Sequence, residues 1–397
     1  MNPQIEEARQ VALAILKPTK RELEHGQELH RDAVVIDAYG FAPRTAIDND
    51  KIERLIAEGA SPREIQDRKE EMISAGFLDK EPVLAEYKEA WEASGVTCLL
   101  QCAGEEGNDV ERLIRRLGYF THIVDRLRDF YRRAVFAEDI EAAKAEGRHA
   151  LCLSVNGVPV SRGACNAHDM LSHVRVFYQL GCRMMHLTYN RRNLLGDGCG
   201  EGADGGLSDF GRMAIQELNR VGIIPDVAHS GQRTSLEAAE ASSKPVVASH
   251  SFCRRLQDHY RGKDDEVIDA IAGSGGFVGI CHFTLNLRAM LDHIDHVVEQ
   301  VGVDHVAIGT DLAYYTAAYE DRFKPACRDA FEQLWPPAEL RNTRPNLPPK
   351  SGLSLKWTNW PLFTVGLVQR GYSDEDVRKI IGGNVLRVLR DTCGTSA

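Results

Sequence analysis

Short apolar runs alternate with longer amphipathic stretches along this chain. Eight of the runs are rich in β-branched residues and have the length of a strand, which predicts eight buried β-strands. They lie at residues 33–39, 96–102, 149–157, 183–190, 223–230, 245–251, 275–283 and 305–312. The stretches between them carry apolar residues at three- and four-residue steps, as in SDFGRMAIQELNRVG, where Ser208 can cap the predicted helix.

The alternation of strands and helices predicts the fold class. Buried strands separated by helices form parallel sheets, and right-handed crossovers between them favour closure of the sheet. The sequence therefore predicts an α/β protein with a (β/α)8 TIM barrel, and a doubly wound open sheet is the alternative.

Two segments are longer than the strand–helix repeat requires. Residues 44–93 are charged and helix-prone, and residues 313–360 are rich in Tyr, Trp and Pro. Because both follow predicted strand ends, the first and the eighth, we expect them to be helical and loop insertions at the C-terminal rim of the barrel. We find no tandem repeat or linker, so we expect residues 1–397 to form one domain.

The composition of the chain indicates which kinds of protein and of binding partner are compatible with it. The chain has 397 residues, of which 43% are hydrophobic, so it can bury a large core. A net charge of −10 without a long basic block argues against nucleic acid. The absence of a long apolar stretch and of a signal-peptide pattern predicts a cytoplasmic protein that does not bind membranes. Ten scattered cysteines, several of them inside apolar runs, predict reduced buried thiols.

Polar residues stand at the ends of most predicted strands. In a barrel these ends converge on one mouth, so their side chains are the candidates for chemistry. They are Asp37, Tyr39, Gln101, Asn156, Tyr189, His229, His250, His282 and Asp311.

His229 and His250 end two consecutive predicted strands. A single histidine there is more typical of a hydrogen-bonded structural group, but two on adjacent strands favour a metal ion held through imidazole nitrogens. Asp311 ends the eighth strand. It could be a third ligand or a general base, and capping of a helix or pairing with a rim arginine is the alternative.

Four motifs resemble, in order and spacing, those of the membrane (renal) dipeptidases, which are metal-dependent amidohydrolases. The motifs are LTYNRRNLLGDGCGEGADGGLSDFGRMAIQELNRVGIIPDVAHSG, PVVASHSFCR, HVAIGTDL and GGNVLRVL, within residues 145–390. The resemblance implies a barrel with two zinc ions at its mouth, bridged by a glutamate, that cleaves dipeptides. It also implies a homodimer.

The resemblance assigns roles to four residues of this chain. His229 and His250 match the two histidines that hold one of the metals. Asp311 matches the aspartate that acts with the catalytic water. Arg261 matches the arginine that receives the substrate carboxylate, a task suited to a guanidinium group.

The chain also departs from the family pattern. The first strand of the family reads Asp-Gly-His-x-Asp, whereas here Tyr39 and Phe41 replace the histidine and the aspartate of the other metal site. Asn156 stands in place of the bridging glutamate, and Tyr189 in place of the histidine that steadies the tetrahedral intermediate. We therefore expect one divalent metal ion, zinc or a similar ion, rather than two.

The main functional hypothesis is a single-metal hydrolase that cleaves a dipeptide or another small amide bearing a carboxylate. Asp311 would accept the proton, Arg261 would hold the carboxylate, and Tyr189 would donate to the developing oxyanion.

Two other hypotheses keep the same barrel. One is a metal-independent lyase, isomerase or tautomerase, since fold does not fix chemistry. There His229, His250 and Asp311 would move protons. Substrate would be bound by Tyr39, Asn156 and Tyr189. The other is a binding protein without catalytic activity.

Overall fold

The fold was analysed in a computed structural model, which describes residues 2–103, 109–161, 163, 165–323 and 350–395. The strands are β1 (Ile36–Gly40), β2 (Cys98–Cys102), β3 (Tyr131–Ala134), β4 (His149–Val155), β5 (Cys182–His186), β6 (Ile224–Asp226), β7 (Ala248–Ser251), β8 (Val278–Ile280) and β9 (Val306–Ile308).

Helices separate most of these strands. Those before β4 are α1 (Pro3–Leu16), α2 (Lys20–Asp32), α3 (Asn49–Ala57), α4 (Pro62–Ala75), α5 (Glu81–Ser94), α6 (Val110–Arg126) and α7 (Ala137–Ala145). Those between β4 and β9 are α8 (Ala167–Gln179), α9 (Asp209–Val221), α10 (Gln232–Ala241), α11 (Asp265–Gly273) and α12 (Leu287–Val301). The last are α13 (Trp360–Gln369), α14 (Asp374–Arg378) and α15 (Asn384–Cys393). Ser208 caps α9 as expected, because its hydroxyl accepts from the amide of Gly211 at 3.0 Å.

All paired strands are parallel, and they curl into a barrel. One sheet has the order β1-β2-β4-β5-β6 and the other the order β7-β8-β9. A parallel bridge between Asp226 and Val247 joins β6 to the residue before β7. On the other side, the amide of Asp311 donates to the carbonyl of Tyr39 at 2.9 Å, which joins the end of β9 to β1. The prediction of a (β/α)8 barrel fold is confirmed.

The sequence did not predict strand β3. Tyr131–Ala134 pairs with His149–Cys152 at the start of β4, whereas β5 pairs with β4 from Leu153 onward. Tyr131 and Ala134 are buried, but the two arginines between them are not fully buried. Because these two charged residues interrupt the apolar run, the segment lacks the continuous apolar pattern that predicted the other strands.

The segment that follows β1 contains three helices, α3, α4 and α5. It contacts the segment that follows β9, since the Lys69 ammonium lies 2.8 Å from Asp321 in a buried ion pair. The Tyr314 hydroxyl also donates to Glu86 at 2.7 Å. Part of the predicted insertion 313–360 lies outside the described residues. The interpretation of both segments as rim insertions of one domain stays a prediction.

Two expectations from composition can be compared with the structure. None of the nine cysteines within the described residues forms a disulfide, and seven of them are buried. In the same part of the chain, no helix combines the length and the apolar character needed to cross a bilayer.

The carboxylate of Asp37 is completely buried where β1 meets the end of β9. It accepts hydrogen bonds from the Thr310 amide at 2.8 Å, the Thr310 hydroxyl at 2.6 Å and the Trp357 indole at 3.0 Å. Burial raises the pKa of Asp37 to about 6, although these donors act to lower it. The group is therefore mostly ionised at neutral pH, and its charge is stabilised by those donors.

We predict that Trp357→Phe destabilises the fold more than Trp360→Phe does. Both indoles are buried, but in the described structure the Trp360 Nε1 has no hydrogen-bond partner. The two substitutions remove the same volume, so their difference reports the bond to Asp37, about 1.5–3 kcal/mol for a hydrogen bond to a charged group. Urea unfolding followed by circular dichroism measures it, and equal losses would contradict the role given to the indole.

His30 of α2 is buried against α5 and α13. Its Nε2 lies 2.9 Å from the Ser94 carbonyl and its Nδ1 lies 2.7 Å from the Thr364 hydroxyl. Since a carbonyl only accepts, Nε2 carries the proton and Nδ1 accepts from Thr364. Burial lowers the pKa of His30 to about 4, so the neutral imidazole is the folded form.

We predict that His30 makes the fold sensitive to acid. A histidine whose pKa is lower in the folded than in the unfolded chain contributes stability above pH 6.5, and this is lost as the pH falls to about 4. His30→Gln should reduce the fall in the free energy of unfolding over that range, by up to about 3 kcal/mol. His25→Gln, at an exposed position of the same helix, is the control. Unchanged pH dependence in His30→Gln would refute this role.

Candidate active site at the mouth of the barrel

The structure places the two predicted metal ligands side by side. His229 follows β6 and His250 belongs to β7, and their Nε2 atoms are 3.0 Å apart. The Nδ1 of His229 lies 2.9 Å from the Asn190 side-chain oxygen, and that of His250 lies 2.9 Å from the Ser249 hydroxyl. Burial, followed by the charge of Arg261, lowers the pKa of both imidazoles well below their usual range. Both are neutral at physiological pH and can offer lone pairs to a cation.

Tyr39 and Asn156 contact each other at this site. The Tyr39 hydroxyl donates to the Asn156 side-chain oxygen at 3.1 Å, and both residues are buried. The Tyr39 ring also stacks on His250, with ring centroids 3.8 Å apart and planes 12° apart. Phe41 packs against Tyr39 edge-on at 5.8 Å. The side of the site next to β1 is thus occupied by two aromatic rings and a neutral amide.

A second pair of polar residues lies deeper in the barrel. His186 ends β5 and Asp226 ends β6, and both are completely buried. The His186 Nε2 and the Asp226 Oδ2 are 3.0 Å apart. Burial acts to raise the pKa of Asp226, but its interactions with the neighbouring His186, Ser249 and Ala228 outweigh burial and lower that pKa. Ligand atoms of His186, Asp226 and His250 all lie within 4.8 Å of one another.

Sequence reasoning missed this pair. His186 and Asp226 lie inside the apolar runs RMMH and IIPD, where we expected strand interiors. Each of these runs contains a charged or polar residue among apolar ones. Such a side chain needs a polar partner when it is buried, and this was the signal that could have identified the pair.

Arg261 lies beside the two imidazoles and is 3% exposed. Its guanidinium donates to the carbonyls of Ala228 and His250, the latter at 3.3 Å, and its Nη2 lies 3.4 Å from the His229 Nε2. The Lys263 ammonium is also buried and donates to two backbone carbonyls of the loop after β6. The loop after β7 therefore brings a fixed positive charge next to the two imidazoles.

Asp311 follows β9 in a left-handed backbone conformation, with φ of 53°. Its carboxylate lies 3.9 Å from the His282 Nδ1. Burial raises the pKa of Asp311 to about 7, although Arg261 and His186 act to lower it. This carboxyl can therefore hold or release a proton near neutral pH.

The remaining residues predicted at the mouth of the barrel, Tyr189, Gln101 and His282, make different kinds of contact. The Tyr189 ring stacks on His229 with centroids 4.2 Å apart. The Gln101 amide oxygen accepts from the Ala42 backbone amide at 2.6 Å, which is a structural contact. His282 approaches the Thr310 carbonyl at 3.0 Å. Among the described residues, the three-residue cluster with metal-ligand spacing includes neither Asp311 nor His229.

The sequence model of the membrane dipeptidases, peptidase family M19, matches residues 27–321. The chain belongs to the membrane dipeptidase family. It is 28% identical over 276 residues to Dipeptidase verJ of Clonostachys rogersoniana, and the alignment covers 67% of this chain and 61% of that protein. It is 26% identical over 291 residues to Dipeptidase tcpJ of Claviceps purpurea, covering 70% of this chain and 59% of the relative. The match thus spans less than two thirds of these relatives' lengths.

Among solved structures, an amidohydrolase from Pseudomonas aeruginosa superimposes with a TM-score of 0.69 at 27% sequence identity. The superposition covers 93% of this chain and 99% of that one. The likeness therefore extends over almost the whole barrel and its helices.

Proposed function

We propose that this membrane dipeptidase family member is a hydrolase that uses one divalent metal ion to cleave a dipeptide or another small amide bearing a carboxylate. The observation that carries the proposal is the arrangement of His229, His250 and Arg261. Two imidazole Nε2 atoms 3.0 Å apart adjoin a guanidinium 3.4 Å from one of them. A cation ligand pair and an anion-binding group thus lie side by side.

The donor set fits a metal such as zinc. Both imidazoles are buried and neutral, and the Nδ1 atom of each faces an oxygen, of Asn190 or of Ser249, which is the second contact usually found for metal-bound histidines. His229 and His250 would hold the ion. When bound, a divalent ion supplies a Lewis acid that polarises a carbonyl and acidifies water.

The other residues of the site have roles that follow from their chemistry. Arg261 would orient the substrate through its carboxylate, with a charge-assisted hydrogen bond. Asp311 would accept a proton during the attack of water, because its pKa of about 7 allows exchange at neutral pH. Tyr189 stacks on His229 and is the candidate donor to the oxyanion.

The residues that form the wall of the site next to β1 favour one bound metal ion over two. In place of an imidazole and two carboxylates it presents Tyr39, Phe41 and Asn156. The Tyr39 hydroxyl and the Asn156 oxygen are bonded to each other. Burial raises the pKa of the Tyr39 phenol well above its usual range, so this group stays a neutral donor. These two residues would instead contact the substrate.

We predict that the zinc-loaded protein hydrolyses dipeptides and that a chelator abolishes the activity until zinc is restored. A dipeptide whose C-terminal carboxylate is converted to an amide should be cleaved poorly. Arg261→Lys should lower kcat/KM for the dipeptide by about 10- to 100-fold, the value of a hydrogen bond to a charged group. Arg255→Lys, at an exposed arginine, is the control.

Two other results of these assays would replace the proposal. Chelator-resistant turnover that requires His250 and Asp311 would favour a metal-independent lyase, isomerase or tautomerase. Stabilisation by small molecules without turnover would favour a binding protein. The expected homodimer and cytoplasmic location stay predictions, which size-exclusion chromatography with light scattering and cell fractionation can test.

We also predict the number of metal ions. The natural chain should bind one zinc ion, whereas the combined variant Tyr39→His, Phe41→Asp, Asn156→Glu should bind two, because it restores donors to the wall next to β1. Elemental mass spectrometry after removal of free zinc counts the ions. The matched control replaces the same three residues with alanine, which opens space without adding donors. Two ions in the natural chain would contradict the single-metal proposal.

A further inference from the structure

We infer that His186 and Asp226 complete the metal site, so that one ion is held by three histidines and one aspartate. The other two ligands are His229 and His250. The inference rests on the proposed function only in assuming that a metal is bound, and it assigns ligands that the family resemblance did not supply. All four donors come from β5, β6, β7 and the residues directly after β6.

The deeper pair, His186 and Asp226, is buried without full hydrogen bonding. Within the described residues, the buried His186 Nε2 and Asp226 Oδ2 have no hydrogen-bond partner, although they are only 3.0 Å apart. The other oxygen of Asp226 accepts from the amides of Ala228 and Ser249, at 2.8 and 3.1 Å. The two backbone amides thus fix the position of the Asp226 carboxylate, while its Oδ2 accepts no hydrogen bond within the described residues. Buried polar atoms without partners are costly, and a shared cation would satisfy both.

Contacts of the Nδ1 atoms set the direction of the imidazole lone pairs. The Nδ1 of His186 lies 3.3 Å from the Val155 carbonyl, and that of His229 lies 2.9 Å from the Asn190 amide oxygen. Such oxygens only accept, so each Nδ1 carries hydrogen and each Nε2 presents a lone pair when the ring is neutral. The His250 Nδ1 faces the Ser249 hydroxyl, which can also accept. Within the described residues, His186 and His250 belong to the cluster with metal-ligand spacing, and the His229 Nε2 adjoins the His250 Nε2 at 3.0 Å and the Arg261 guanidinium at 3.4 Å.

The rings of His186, His229 and His250 lie close to one another. The centroid of the His186 ring lies 5.6 Å from that of His229 and 5.3 Å from that of His250, and the last two are 5.0 Å apart. Imidazoles bound to one tetrahedral zinc, with nitrogen about 2.0–2.1 Å from the ion, have centroids roughly 5 Å apart. The ring separations match this value, and among the described residues the donor atoms of His186, His250 and Asp226 already lie within 4.8 Å of one another.

This ligand set also explains how a family member can keep a metal after losing the donors of the wall next to β1. The ion would lie deeper, towards β5 and β6, and Asp226 would supply the negative charge that the missing carboxylates supplied. Asp311 would then remain free of the ion and available for proton transfer. The competing interpretation is a protonated His186 ion-paired with Asp226, which needs no metal.

Asp226→Asn and His186→Gln test the assignment. Asp226→Asn keeps an oxygen for the two backbone amides and replaces the metal-facing oxygen with a donor. We expect each variant to lower zinc affinity by more than about 100-fold, since even outer contacts of metal ligands are worth 10- to 100-fold. Competition with a chromophoric chelator measures the affinity. Asp265→Asn, from the His296–Asp265 pair on the surface of the barrel, should bind zinc as the natural chain does.

A second measurement does not depend on whether the variants fold. X-ray absorption of the zinc-loaded natural chain should show three imidazoles and one carboxylate oxygen among the ligands. Two imidazoles, or variants of His186 and Asp226 that bind zinc normally while His229→Ala and His250→Ala do not, would overturn this inference and leave the single-metal hydrolase standing. A natural chain that binds no zinc would overturn both.

Discussion

The buried carboxylate of Asp37 joins the first and last strands of the barrel, and the active site depends on this joint. It holds Thr310 of the last strand end and the indole of Trp357 at the same point. One residue after Thr310 and two residues after Asp37, the amide of Asp311 donates to the carbonyl of Tyr39. A base candidate and the ring that stacks on His250 are therefore fixed by the closure of the sheet rather than by flexible loops.

Charge is distributed unevenly around the candidate site. The loop after β7 contributes the guanidinium of Arg261 and the ammonium of Lys263, both buried. The carboxylates of the site belong to Asp226 and Asp311, while Tyr39, Phe41 and Asn156 next to β1 are neutral. A bound cation would be attracted to the carboxylates, and an anionic substrate to the guanidinium. The two kinds of ligand are thereby directed to different parts of one site.

The sequence predicted the barrel and the pairing of His229 with His250, because apolar runs and adjacent strand ends are local signals. It did not predict β3, where Arg132 and Arg133 interrupt the apolar pattern. The deeper pair of polar residues was missed for a different reason. The predicted strands ran to 190 and 230, whereas the structure ends β5 at His186 and β6 at Asp226. An error of a few residues in strand length thus turned strand-end residues into interior ones.

The buried ion pair between Lys69 and Asp321 connects two segments that are far apart in the sequence. Breaking a buried ion pair by removing one of its partners costs about 3–5 kcal/mol of stability. Neither segment can therefore be exchanged alone between relatives without loss of stability. During divergence of the family, the two segments would be inherited and altered together, and a graft that alters substrate preference would have to carry both.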